Sequence, residues 1–118
     1  MTDINTRPVL NIGATLERTG NDPTRLRDIF LFSISELQTW SQKLSAMISS
    51  GNTEQIARMA HGFKGAAATL GAERMQELMR SIELSAKGGS LDEVSTAANA
   101  VPEQVRKLID AIQEYLNA

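Results

Sequence analysis

Residues 52–71 read NTEQIARMAHGFKGAAATLG, and this stretch decides the fold. Ile56, Met59, Ala60, Phe63, Ala67 and Leu70 recur at the three-and-four spacing of a single helix face. Asn52 followed by Gln55 is a capping-box signal for the start, and Gly71 is a stop. The spacing predicts a helix over 52–70, buried along one stripe and open on the other side.

The same grammar extends outward. Upstream, Asp22-Pro23 offers an N-cap and a residue pre-set for the first helical position. The stripe Leu26, Ile29, Phe30, Ser33, Leu37, Trp40, Leu44, Met47 and Ile48 then runs to Gly51, which predicts a helix over 22–50. Downstream, Met75, Leu78, Met79, Ile82 and Ala86 predict a helix over 72–87, ended by Gly88-Gly89. Ser90 with Glu93 opens a last segment whose face is Val94, Ala98, Val101, Val105, Leu108, Ile112 and Leu116. Pro102 interrupts it, but the face continues in phase, so one kinked helix over 90–117 is expected. Val9, Leu10, Ile12 and Leu16 suggest a short helix over about residues 12–19 lying on the rest. Few β-branched runs speak for a sheet. Short loops between long helices favour antiparallel neighbours, so the fold class is all-α: an antiparallel four-helix bundle with a short additional N-terminal helix.

Composition bounds the chemistry. The chain has 118 residues, enough for one domain, here residues 1–118. It has no cysteine and one histidine, which excludes a disulfide scaffold, a thiolate zinc site and a multi-histidine metal site. A net charge of −2 argues against broad attraction to nucleic acid or anionic lipid. No apolar run approaches a membrane span, and MTDINTRPVL lacks the pattern of a secretory signal. A cytoplasmic location is the expectation.

The lone histidine, His61, stands mid-way along the 52–70 helix. With Ile56 at 0° and about 100° per residue, the core stripe lies between about 300° and 40° and His61 at about 140°. Ala57, Gly65 and Ala68 share its face, Gly62 adjoins it, and Lys64 lies between it and the core edge. Two glycines inside a helix cost roughly 1 kcal/mol each against alanine. Bare backbone is useful where another surface must come close. Geometry alone leaves two readings open: a solvated histidine with tolerated glycines, or a reactive imidazole on a face cleared for docking. Nothing in the sequence signals the pocket that a triad needs or the substrate cleft that a general base needs. A neutral imidazole is itself a nucleophile, and a cation one turn away would steady phosphoryl oxygens.

The run His61-Gly62-Phe63-Lys64-Gly65-Ala66-Ala67-Ala68-Thr69-Leu70-Gly71 resembles the signature of histidine-containing phosphotransfer (HPt) domains: His, any residue, apolar, Lys, Gly, two small residues, then an apolar residue and Gly. Val9 to Asp22 is similar to their short first helix and turn, and Ile82-Glu83 to an apolar–acidic pair on their next helix. The likeness covers residues 9–117. Phe63 stands where leucine is commoner, and Gly62 is an unusual choice at a variable position.

The resemblance implies a phosphorelay intermediate. His61 would take a phosphoryl group on Nε2 from an aspartyl phosphate of one receiver domain and pass it to another. Lys64 would pair with the phosphoryl oxygens, and Gly65 would let the receiver approach. Glu83 would orient the ring through its other nitrogen. Ala57, Gly62 and Ala68 would line the partner surface. Response-regulator receiver domains are the implied partners, with a hybrid histidine kinase as a further candidate and a monomeric chain expected. No cofactor is implied, because Mg²⁺ would come from the receiver. Autokinase activity is not expected. Gly62 cannot act as the acidic base that follows the histidine in kinase dimerisation domains, and 118 residues leave no room for an ATP-binding domain. The initial Met1 suggests a free-standing chain. Two other classes compete. One is a helical interaction module that binds a receiver without carrying phosphate. The other is a helical enzyme using His61 as base.

Smaller features have plainer readings. Leu31 and Phe32 lie off the stripe of the 22–50 helix and have two readings, part of a docking patch or cover of one of them by the short N-terminal helix, of which the second is the expectation. Met47, Met59, Met75 and Met79 read as core filler. Arg58, Arg74 and Arg80 would suit recognition of an acidic receiver site, but the plainer reading is a solvated face.

Overall fold

The computed structural model describes residues 3–118, so the reading of Met1 lies outside the described residues. A short 3₁₀ turn, Ile4–Thr6, precedes six α-helices: α1 Ile12–Arg18, α2 Pro23–Ser50, α3 Thr53–Leu70, α4 Glu73–Lys87, α5 Leu91–Ala98 and α6 Val101–Leu116. There is no strand among the described residues. At about 1.5 Å per residue, the 28 residues of α2 account for the 41 Å long axis of the molecule.

Local chemistry sets the ends. The Asp22 carboxylate accepts from the N–H groups of Thr24 and Arg25 at 3.1 and 3.2 Å. Asn52 caps α3 through the Gln55 N–H at 3.1 Å, and Ser90 caps α5 through the Glu93 N–H at 3.2 Å. Only this forward half of the capping box forms at Asn52, whose own N–H donates to Ser50 Oγ. Gly51 and Gly71 close α2 and α3 in the left-handed region, at φ of 71° and 76°.

The last segment differs from expectation: it is two helices, not one kinked helix over 90–117. Pro102 has no N–H to offer the Ala98 carbonyl, and its ring would collide with that carbonyl in a continuous helix. The chain instead tightens through Ala100 N–H to Ala97 O at 3.2 Å and restarts, so that Pro102 falls in the first turn of α6, where its missing donor costs nothing. Asn99 and Ala100 keep right-handed dihedrals, so the apolar face stays in phase across the break.

Helices α2, α3 and α4 and the α5–α6 pair enclose the core. Leu26, Phe30, Leu37, Trp40 and Leu44 from α2 meet Ile56, Ala60 and Ala67 from α3, Met75, Met79 and Ile82 from α4, and Val94, Leu108 and Ile112 from α5 and α6. Met75 and Met79 are buried, and Met47 and Met59 pack against the core partly exposed. Phe63 lies parallel to Trp40 with ring centroids 4.4 Å apart, so the larger ring at this position ties α3 to α2.

Helix α1 locks the turn between α3 and α4. Thr15 Oγ1 donates to the Leu70 carbonyl at 2.9 Å, the Asn11 N–H donates to the Gly71 carbonyl at 2.8 Å, and Arg18 reaches the Ala68 carbonyl. A Cβ at Gly71 would lie 2.6 Å from the Asn11 carbonyl oxygen, so only glycine admits this contact. With its polar groups committed there, α1 covers neither Leu31 nor Phe32. Both remain exposed, Phe32 at 82%.

Candidate functional site

The turn locked by α1 sets what faces what. Helices α3 and α4 pack as an antiparallel pair about Ala72, so residues equidistant from Ala72 meet across the pair. His61 and Glu83 are such a pair, and Ala57 and Lys87 are another.

The His61 side chain is 68% exposed, and its Nδ1 lies 2.9 Å from Glu83 Oε2. Glu83 is buried, and three cationic or polar groups converge on it. Lys64 Nζ lies 2.6 Å from Oε1, Lys87 Nζ lies 3.1 Å from Oε2, and His61 Nδ1 completes the set. The Lys64 hydrogen bond holds the Glu83 carboxyl at about 2, against burial, with Lys87 and His61 lowering it further. An ionised carboxylate can only accept hydrogen bonds. Nδ1 therefore carries a proton, and in the neutral ring the lone pair falls on Nε2, the nitrogen remote from Glu83.

Gly62 and Gly65 flank the histidine with open space where a Cβ would stand. No packing inside the chain demands glycine at either position. Ala57 departs from expectation: it is buried, because α4 covers its side of α3, and it floors a groove beside His61 instead of offering open surface. Ala68 is partly covered, with its carbonyl taken by Arg18. Lys64 is not a free cation. It is spent on Glu83, and its side chain is 27% exposed.

Lys87 escaped the sequence reading. The signal for it was present, because Glu83 and Lys87 are four residues apart on one helix. The three arginines divide. Arg74 binds the Arg7 carbonyl at 2.6 Å and Arg80 binds Glu77, so both serve the chain's own structure. Arg58 pairs with Glu54 at 3.5 Å on the rim of the groove.

On the far side of α3 an apolar groove runs between α2 and α3, bounded by Phe32, Trp40, Ala66 and Thr69. It adjoins the bare strip at Gly62 and Gly65 along α3.

The site of this helical bundle is therefore one exposed imidazole hydrogen-bonded to a buried carboxylate. The family model for the Hpt domain matches residues 25–115, and the chain belongs to that family. Its members are histidine phosphotransfer modules of two-component phosphorelays, not kinases in general, and they work with receiver domains. The chain is similar in structure to the crystal structure of the HPT domain from an Hpt sensor hybrid histidine kinase of Shewanella, with a TM-score of 0.79 and 16% sequence identity. The match covers 98% of this chain and 97% of that one. No curated protein matches the sequence significantly. Among the described residues, no helix is long and apolar enough to cross a membrane.

Proposed function

We propose that the chain is a phosphorelay intermediate that takes a phosphoryl group on His61 Nε2 from the aspartyl phosphate of one receiver domain and delivers it to another. The observation that carries this reading is the His61–Glu83 pair: an exposed ring whose inner nitrogen donates to a buried, ionised carboxylate.

The chemistry balances without a base. The Nε2 lone pair attacks phosphorus in line with the aspartyl oxygen. The N–P bond forms, the P–O bond breaks, and the aspartate leaves as carboxylate. No proton need move, because Nδ1 keeps its own and the ring becomes cationic. Glu83 stabilises that cation as the carboxylate of a catalytic triad does. The receiver supplies Mg²⁺, and this chain supplies the nucleophile, its orientation and the docking face. Reverse transfer follows the same path.

Gly62 and Gly65 form the approach strip, and the receiver's footprint extends from it to Phe32. An 82% exposed phenylalanine beside an apolar groove is the kind of surface a partner buries. The module acts as a monomer in the cytoplasm, and a hybrid histidine kinase is one source of its phosphorylated receivers. It makes no phosphohistidine from ATP on its own.

Mass spectrometry tests the reading. Incubation with a phosphorylated receiver is expected to add about 80 Da, a phosphoryl group, lost in acid and absent from His61→Gln. Receiver binding without any adduct would favour the phosphate-free interaction module.

A further inference from the structure

Lys64 and Lys87 both bind Glu83, but they bind it differently. Lys64 takes Oε1 at 2.6 Å from a mostly covered position. Lys87 takes Oε2 at 3.1 Å from a side chain that is 62% exposed, and it shares that oxygen with His61 Nδ1. One buried carboxylate thus holds two lysines, one more cation than its charge requires.

The shared oxygen decides which lysine is free to leave. When the N–P bond forms, the ring beside Oε2 becomes cationic. It then neutralises the oxygen that Lys87 had neutralised and repels the Lys87 ammonium. At the same moment a phosphoryl group of about −2 charge appears at the outer ring nitrogen. Lys87 stands on the last turn of α4, over a groove floored by Ala57 and Ala86 that His61 and Arg58 also line. An exposed lysine pair breaks at little cost, whereas the covered Lys64 bond does not.

We infer that Lys87 is the mobile phosphoryl-binding cation of this site, moving from Glu83 to the phosphoryl oxygens when His61 is phosphorylated, while Lys64 stays on Glu83 and positions the ring through it. This assigns phosphoryl binding to a residue outside the histidine's own helix and makes Lys64 a positioning residue. The inference rests on the phosphorelay reading above.

The test uses phosphoramidate, a small donor that needs no docking surface. Rates of His61 phosphorylation, the ³¹P resonance of the product and the ¹⁵N shifts of the ring are compared among wild type, Lys87→Ala, Lys87→Arg and Lys64→Ala. Lys87→Ala is expected to slow phosphorylation about tenfold, below the loss for a fully buried donor. It should also move the ³¹P resonance, while the melting temperature and the Nδ1–H tautomer stay at wild type. Lys87→Arg should restore most of the rate. Lys64→Ala should lower the melting temperature and disturb the tautomer. The inference is overturned if Lys87→Ala reacts at the wild-type rate with an unmoved ³¹P resonance. It is overturned equally if Lys87→Ala disturbs the tautomer, since Lys87 would then act only through Glu83. Wild type that accepts phosphate neither from phosphoramidate nor from phosphorylated receivers sinks the phosphorelay reading itself, and this inference with it.

Discussion

Glu83→Gln removes one charge and keeps the shape of the side chain. The wild-type carboxyl is held at about 2 against an ordinary 4.5. At 1.36 kcal/mol for each tenfold in acidity, that difference corresponds to about 3 kcal/mol of native-state stability at neutral pH. The figure is a ceiling, because Lys87 is largely exposed and rehydrates when its partner is neutral. About 2 kcal/mol is the expected loss, equivalent to a fall of about 8 °C in melting temperature for a domain of this length.

The pH dependence carries the sharper test. A carboxyl whose native value lies below its unfolded value stabilises the fold above the unfolded value, and that contribution disappears as pH falls through the native one. The stability gap between wild type and Glu83→Gln should therefore be full above about pH 5, shrink from there, and vanish near pH 2. Urea unfolding of both proteins across that range, with midpoints compared at each pH, measures the gap. A gap that stays constant down to pH 2 would mean the variant is destabilised by packing and would refute the charge argument.

Three further outcomes follow from particular contacts. Gly71→Ala should cost about 2 kcal/mol or more in denaturant unfolding, because it combines a left-handed backbone with a Cβ 2.6 Å from the Asn11 carbonyl. Unchanged stability there would show that α1 does not seat on the turn. Gly65→Gln should weaken receiver binding by calorimetry while leaving the melting temperature near wild type and phosphoramidate labelling intact, since nothing in the chain fills that space. Phe32→Ala should raise the receiver Kd about tenfold without loss of stability, as expected for an exposed aromatic anchor; equal affinities would remove the α2–α3 groove from the footprint.

Much of this molecule is legible along the chain because its punctuation is local. Asp22, Asn52 and Ser90 cap, Gly51 and Gly71 stop, and each acts through the few residues beside it. The face of His61 follows from angular position alone. What escaped needed the third dimension or a competition between two terms. Phase continuity argued for one helix through Pro102, and the ring's steric conflict with the preceding turn won. Ala57 sits beside His61 on the helical wheel, but α4 buries it. Leu31 and Phe32 stayed uncovered because Asn11 and Thr15 hold α1 at Gly71 and Leu70. The meeting of His61 with Glu83 depends on the α3–α4 turn falling midway between them at Ala72. That midpoint can be read from the residue numbers once the turn is placed, and the same step brings Lys87 over Ala57. The double use of Glu83 by two lysines has no one-dimensional signal beyond the Glu83–Lys87 spacing.

The central claim is that His61 carries phosphate between receivers. The direct measurement is a two-step relay with one labelled, phosphorylated receiver as donor and a second, unlabelled receiver as acceptor, run with wild type and with His61→Gln. Because His61 is exposed, the variant should fold like wild type by melting temperature and circular dichroism. Label should pass through the wild-type chain to the second receiver and stop at the donor when His61→Gln is used. Label reaching the second receiver equally well with His61→Gln, or never entering the wild-type chain from any receiver that binds it, would contradict the account.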